Sequence, residues 1–230
     1  MLQAEHLFLT YPDGDRQRHA VDDISLRIAD FQFVGILGPS GSGKSSLLYL
    51  LSGLRQASAG EIYFDDRAYS KMREDERVAL RRRDFGFVFQ QHFLINYLTV
   101  LENVLVAAPQ QDRAHRAQAA ALLTDLGLAE KLHRYPHELS GGQRQRVAVA
   151  RAAIHRPRVI FADEPTGLLD RHTSLQVISL LRSVSKHGTL IAVTHNPEIL
   201  SEADLILKLR DGQMVEMQDR VSRAVQEPRV

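Results

Sequence analysis

The nine residues Gly38-Pro39-Ser40-Gly41-Ser42-Gly43-Lys44-Ser45-Ser46 constrain this 230-residue chain more than any other stretch. Gly38, Gly43, Lys44 and Ser45 satisfy the spacing G-x-x-x-x-G-K-[ST], the pattern of a loop that wraps the phosphates of a nucleoside triphosphate. Glycines let backbone N–H groups approach phosphate oxygens with no Cβ in the way. Lys44 supplies positive charge for the β- and γ-phosphates, and the Ser45 hydroxyl offers an oxygen to Mg²⁺. The flanks agree. Phe33-Val34-Gly35-Ile36-Leu37 reads as a buried strand and Ser45 to Leu51 as a helix, whose N-terminus aims partial positive charge at an anion. Strand, glycine loop and helix in this order place the chain among α/β proteins.

The other segments arrange themselves around this loop. Gln3 to Thr10 and Val21 to Ile28 read as strands, separated by the turn signal Pro12-Asp13-Gly14-Asp15. Tyr11, at the end of the first strand, either packs there or stacks on a base. Gly53 closes the loop helix, Glu61-Ile62-Tyr63-Phe64 is a short strand, and Glu74 to Arg83 is a charged surface helix. The basic run Arg81-Arg82-Arg83 is a solvated helix end or an anion site. Phe85-Gly86-Phe87-Val88-Phe89 is a buried strand that delivers Gln90 at its C-terminal end, where ligands of open α/β sheets collect. From Thr99 to Gly127 the pattern turns helical. Thr99 and Glu102 have capping-box spacing, Pro109 interrupts, and Asp112 to Leu126 is alanine-rich with Gly127 as a stop.

Leu139-Ser140-Gly141-Gly142-Gln143 opens a strongly helix-forming run. Ser140 and Gln143 have capping-box spacing, so the segment is either a well-capped helix or a second anion site at a glycine-rich helix N-terminus. Arg158 to Glu164 is a continuous apolar strand ending in two acids, the pattern of a buried parallel strand. Asp163 suits a Mg²⁺ hydration shell, and Glu164 suits positioning or deprotonating a water. Thr189 to Thr194 is another buried strand and delivers His195, whose imidazole can donate to a phosphate oxygen. Asn196 and Pro197 then read as the start of a helix. Leu205 to Leu209 and Gln213 to Glu216 read as a closing strand pair, with a polar tail over 218–230.

Composition bounds the setting. A net charge of +1 gives no basic field for nucleic acid, and the absence of cysteine excludes a disulfide framework or a thiolate zinc site. No apolar run approaches the roughly 20 residues that span a bilayer, and the first residues lack the basic start and apolar block of a signal peptide. These features suit the cytoplasm and no direct membrane insertion, with any membrane part supplied by another chain.

Taken together, the motifs resemble the ATP-binding cassette (ABC) ATPases over Met1 to Met217. LSGGQ at Leu139–Gln143, between the phosphate loop and Ala162-Asp163-Glu164-Pro165-Thr166-Gly167, carries most of the resemblance, since five specified residues recur by chance in about one chain in a few thousand. The resemblance implies one cassette domain over 1–230: a P-loop NTPase (RecA-like) core with an N-terminal antiparallel β layer at roughly 1–90 and 158–217, and an inserted α-helical subdomain at roughly 91–157. It implies that Tyr11 stacks on the adenine of ATP, that Gly38 to Ser46 is the Walker A loop, and that Gln90 contacts Mg²⁺ and the attacking water. It likewise makes Asp163 the Walker B aspartate, Glu164 the catalytic base and His195 the switch histidine on the γ-phosphate. Asp170, in Gly167-Leu168-Leu169-Asp170, becomes the aspartate that addresses an opposite subunit. Ser140, Gly141, Gly142 and Gln143 belong to the signature loop, which binds the γ-phosphate held by a second copy of the chain.

The expected functional unit is therefore a head-to-tail dimer sandwiching two ATP molecules, docked from the cytoplasm on a transmembrane permease. The departures are Ser46, where threonine is commoner, and Leu168 in the loop before Asp170; no acid, base or phosphate ligand is replaced. Arg81 to Gln91, Leu98 to Val104 and Pro165 to Asp170 look like the lipoprotein-releasing, macrolide-efflux and cell-division group (LolD, MacB and FtsE type). That group implies export or extrusion, with regulation of an envelope protein as the alternative. Phe93 to Leu98 is expected either to meet the partner's coupling helix or to pack internally. A DNA-maintenance ATPase would require long heptad coils, which the sequence lacks, and a small-molecule kinase leaves LSGGQ and His195 without a role.

Overall fold

The computed structural model describes residues 1–13 and 16–220, with the side chains of residues 13 and 16 excepted. In chain order, β1 (Leu2–Asp13) and β2 (Arg16–Ile28) form a hairpin, and β3 (Phe33–Leu37) leads into α1 (Lys44–Leu51). Then come β4 (Ala59–Phe64), β5 (Arg67–Ala68), α2 (Glu74–Asp84) and β6 (Phe85–Phe89). Three helices follow, α3 (Val100–Leu105), α4 (Arg113–Asp125) and α5 (Gly141–Ala153). The chain closes through β7 (Val159–Asp163), α6 (Arg171–Val184), β8 (Thr189–Thr194), β9 (Leu205–Arg210) and β10 (Gln213–Asp219).

Two sheets result: an antiparallel one ordered β2-β1-β4-β5 and a larger one ordered β10-β9-β3-β8-β7-β6. In the larger sheet β9, β3, β8, β7 and β6 run parallel, with β10 antiparallel at one edge. Every residue of β7 and β8 is buried, as parallel strands covered on both faces require. Alternate side chains feed two cores. Val34, Ile36, Phe161, Ile191 and Val193 meet α1 and the antiparallel sheet, while Ile160, Ala162, Leu190 and Ala192 meet helices α3 to α6. Leu47, Leu48, Leu50 and Leu51 are fully buried, so α1 is wedged against the sheets on nearly all sides. Because β3, β8, β7 and β6 are parallel and in register, Leu37, Thr194, Asp163 and Phe89 share one edge of the sheet. The phosphate loop, Gln90, Asp163, Glu164 and His195 all follow strands that end at that edge.

Local structure departs from the sequence reading in four places. β1 continues through Tyr11 and Pro12, which pair with Arg18 and Gln17, where a turn was expected from Pro12. Proline is tolerated because β4 leaves β1 at Phe8, so the outer side of Pro12 faces no strand; Gly14 and Asp15 lie outside the described residues. α6 has no counterpart in the sequence reading, although Asp170 caps it and Val177, Ile178 and Leu181 bury one face. Residues Pro197–Leu200 form a single 3-10 turn rather than a helix start. β10 runs to Asp219 and pairs Gln218 with Ile206 and Asp219 with Leu205, so the expected polar tail begins inside a strand; residues 221–230 lie outside the described residues.

One buried polar residue orders the segment between β6 and α3. Asn103 is 0% exposed. Its Oδ1 accepts from Ile95 N–H at 2.7 Å, and its Nδ2 donates to the carbonyls of Ile95, Leu98 and Thr99 at 3.1, 3.0 and 3.0 Å. Asn103→Ala leaves these backbone groups without their partner, and we expect a loss of about 2–3 kcal/mol of stability, read as a lower midpoint in urea unfolding. An unchanged midpoint would mean that water replaces the amide without cost.

Candidate functional site

The phosphate loop connects β3 to α1 and is braced from behind by backbone. Gly212 N–H donates to Ser42 O at 3.1 Å and Asp22 N–H to Gly212 O at 2.9 Å, which ties the loop to the β9–β10 turn and to β2. Gly43 has φ +96°, and a Cβ there would lie 2.1 Å from Ala20 O; a Cβ on Gly38 would lie 2.4 Å from Leu209 O. Both positions therefore exclude a side chain. Gly43 precedes α1 without any side-chain cap, so the first N–H groups of the helix face the loop as an anion cradle. Lys44, 7% exposed, folds back across the loop: Nζ donates to Pro39 O at 2.9 Å and lies 3.8 Å from Glu164 Oε1. Ser40 and Gly41 are exposed, and the buried Ser42 hydroxyl has no hydrogen-bond partner among the described residues.

The two acids that end β7 have different surroundings. Asp163 is buried, and both its oxygens are held by hydroxyls of α1. Ser45 Oγ donates to Oδ1 at 2.7 Å and Tyr49 Oη to Oδ2 at 2.6 Å. Burial and, next, the Asp163 carboxylate push the Tyr49 phenol well above its usual range, so it stays a donor. Glu164 sits at φ +45°, an uncommon conformation for a non-glycine residue. It is held there by Glu164 N–H to Val193 O and by Gly167 N–H to Glu164 O, both at 3.0 Å. This turn points the carboxylate away from the strand, with Oε2 3.0 Å from Nδ1 of His195. His195 itself is 63% exposed and Glu164 16%, so the imidazole lies between the acid and solvent. Gln90 follows Phe89, which is in register with Asp163, and its amide lies over Gly167, where a Cβ would come within 2.9 Å of Nε2.

Tyr11, Arg18, Gly41, Lys44, Ser45 and Ser46 line an open cleft of about 440 Å³. The Tyr11 ring is half-buried against the core, and the Arg55 guanidinium lies 5.4 Å from its centroid. Tyr11 thus packs at the strand and also walls the cleft. Cations, free helix N–H groups and a planar ring suit a polyanion carrying an aromatic base. The hydroxyl of Ser45 and the carboxylate of Asp163 form a hard oxygen donor set. Among the described residues no group of three or more His, Cys, Asp and Glu forms a metal cage. The oxygen-only donor pair of Ser45 and Asp163 suits Mg²⁺, which keeps waters and takes its other ligands from phosphates.

Ser140 to Gln143 and Asp170 stand apart from this assembly. Ser140 N–H donates to Gln143 Oε1 at 2.9 Å and Gln143 N–H to Ser140 Oγ at 3.3 Å, a complete capping box on α5. Asp170 caps α6 by accepting from Thr173 Oγ1 at 2.6 Å and Thr173 N–H at 3.0 Å, bonds that hold its carboxyl below the usual range. A Cβ on Gly142 would lie 2.6 Å from Thr173 Cγ2, so the two helix starts touch. None of these side-chain hydrogen bonds reaches the phosphate loop. Tyr49 is a site residue absent from the sequence reading, as are Arg18 on the cleft wall and Arg55 beside Tyr11. The signal for Tyr49 was its place four residues after Ser45, on the same face of α1.

Comparison with known proteins gives a consistent result. A family model described as "ABC transporter" matches residues 21–167. A protein of Methanocaldococcus jannaschii named as an uncharacterized ABC transporter ATP-binding protein, MJ1508, is 44% identical over 221 residues, covering 94% of this chain and 99% of that protein. The lipoprotein-releasing system ATP-binding protein LolD of Bordetella pertussis is 43% identical over 93% of this chain and 94% of its own. The macrolide export ATP-binding/permease protein MacB of Photorhabdus laumondii is 40% identical over 98% of this chain, which spans 36% of MacB. Among solved structures, the dimeric cassette MJ0796 superposes with a TM-score of 0.88 at 34% identity, covering 96% of this chain and 99% of the other. Its post-hydrolysis dimer bound to ADP and Pi gives 0.87 at the same identity and coverage.

The brace behind the phosphate loop leads to a test. Gly43→Ala drives a methyl into Ala20 O and forces a strained φ, so it should cost about 1–3 kcal/mol of stability and weaken binding of a fluorescent ATP analogue. Unchanged binding and unfolding midpoint would contradict this account of the loop.

Proposed function

The chain belongs to the ABC transporter family of ATP-binding proteins, and on that premise we propose that it binds and hydrolyses ATP as the cassette of a bacterial export or extrusion system. The observation that carries the residue assignments is the convergence of the phosphate loop, Asp163, Glu164 and His195 at one sheet edge. In this reading adenine stacks on Tyr11, and the triphosphate enters the cradle of Gly38, Pro39, Ser40, Gly41, Ser42, Gly43 and Ser46. Lys44 turns its ammonium from Pro39 O to the β- and γ-phosphates. Ser45, Asp163 and Gln90 would hold Mg²⁺. When bound, Mg²⁺ supplies positive charge against the phosphate oxygens.

Hydrolysis then follows from the chain's own groups. Glu164 accepts a proton from the attacking water, which Gln90 helps to orient. His195 holds Glu164 through Nδ1, and turning that imidazole to the γ-phosphate releases the acid toward water. The second half of the site is Ser140, Gly141, Gly142 and Gln143 of another copy, with Asp170 beside it, in a head-to-tail dimer. The side-chain cap bonds of Ser140, Gln143 and Asp170, none of which involves the loop, and the dimers formed by the MJ0796 cassette, support that arrangement.

No helix among the described residues is long and apolar enough to cross a membrane; in the proposed arrangement a permease supplies the membrane part and the cassette sits peripherally on the inner face. The name of MacB, which joins ATP-binding and permease parts in one protein, supports this pairing. A groove of about 450 Å³, with Leu54, Val78, Phe87, Phe89 and Val106 on its apolar wall and Arg81, Arg82, Arg151 and His155 also lining it, is the proposed docking surface. It opens beside the segment expected to meet the partner or to pack inside. Within that segment Phe93 and Tyr97 are 61% and 80% exposed and free to meet a partner in this reading, while Leu94 packs on the core.

Glu164→Gln tests the reading. ATP binding should persist, turnover should fall by about 10²–10⁴-fold, and ATP should drive the variant into a dimer on size exclusion. Hydrolysis at the parent rate would remove Glu164 as the base.

A further inference from the structure

Tyr49 lies outside the phosphate-loop motif, yet its hydroxyl donates to Asp163 Oδ2 at 2.6 Å while Ser45 Oγ donates to Oδ1 at 2.7 Å. We propose that Tyr49 is the positioning residue for the divalent cation: by occupying Oδ2, it fixes the rotation of the Asp163 carboxylate and aims Oδ1 at the cation and at Ser45. This rests on the cation assignment proposed above and adds a residue to it.

The rest of the structure equips Tyr49 for such a role. Its ring packs, half-buried, against the core between the sheets. Its carbonyl accepts from Arg55 N–H at 2.9 Å and from Ser52 Oγ at 3.3 Å, which holds the C-terminal turn of α1. Ser45 and Tyr49 are four residues apart on one helix, so a single rigid element presents both hydroxyls to one carboxylate. Without Tyr49 Oη, Asp163 can turn about its terminal torsion, which is broad and roughly two-fold for a carboxylate. Held by Ser45 Oγ alone, the carboxylate rocks and offers its oxygen to a cation in the bonding direction only part of the time. Groups that orient a metal ligand in this way typically change metal affinity by about 10–100-fold when removed. A purely structural role, in which Tyr49 merely finds a partner for a half-buried hydroxyl, predicts a change in stability and none in cation binding.

The test is Tyr49→Phe in the full chain, which deletes one oxygen and keeps the ring. Mn²⁺ binding is read by electron paramagnetic resonance in the presence of a non-hydrolysable ATP analogue, and affinity for the analogue is measured separately in EDTA. We expect the Mn²⁺ dissociation constant to rise by about 10-fold or more while the metal-free nucleotide affinity stays at the parent value. The same Mn²⁺ affinity in variant and parent would overturn the proposal. So would an equal loss of metal-free nucleotide affinity, because that marks a general disturbance of the loop. If the parent itself showed no nucleotide-dependent Mn²⁺ binding, the assignment of Ser45 and Asp163 would fall together with that of Tyr49.

Discussion

The hydroxyls of Ser45 and Tyr49 grip the two oxygens of Asp163 and so join the start of α1 to the end of β7, more than a hundred residues away in sequence. A carboxylate at the tip of a fully buried strand is costly unless it is hydrogen-bonded, and charge-assisted O–H donors are the strong way to meet that need. The joint also fixes where the phosphate loop stands. α1 cannot slide, because four of its leucines are fully buried between the sheets, and its N-terminus is therefore held over the sheet edge where Glu164 and His195 emerge. Ligand geometry in this protein is thus set by core packing on one side and by two hydroxyls on the other.

From that joint the remaining chemistry follows by register. Parallel pairing of β6, β7 and β8 puts Gln90 and Glu164 one step, and His195 two steps, beyond residues that are already neighbours. Glu164 is held in left-handed backbone, which turns its carboxylate toward His195 instead of letting the strand continue. Such conformations persist where the surroundings over-determine them, and here bonds to Val193 O and from Gly167 N–H do so. The helices on the far face serve a different end. α5 and α6 begin side by side, and their caps are satisfied internally, so the cap bonds of the glycine-rich start of α5 stay within its own helix start.

Much of this was legible in the residues. The β3, β6 and β8 bounds match apolar runs read from the sequence, since buried parallel strands leave no polar position to blur their ends. The capping boxes at Thr99 and Ser140 formed as spaced. What escaped has physical reasons. α6 begins at Asp170, a residue read for its motif, and the amphipathic run behind it carried no further motif to draw notice. The extension of β1 past Pro12 depends on which side of that strand is unpaired, and no local pattern contains that fact. Tyr49 was hidden because its role depends on a carboxylate 114 residues away. The parallel acidic pair was legible as chemistry, but the positive φ that separates the work of Asp163 and Glu164 was not.

The central claim is that this chain carries two halves of different composite sites, which only a second copy completes. The most direct measurement mixes two inactive variants, Lys44→Ala and Ser140→Arg, and follows phosphate release. A head-to-tail mixed dimer pairs one intact phosphate loop with one intact signature segment, so the mixture should regain activity that neither variant has alone. Release no greater than the weighted sum of the separate variants would contradict the account and return the site to a single chain.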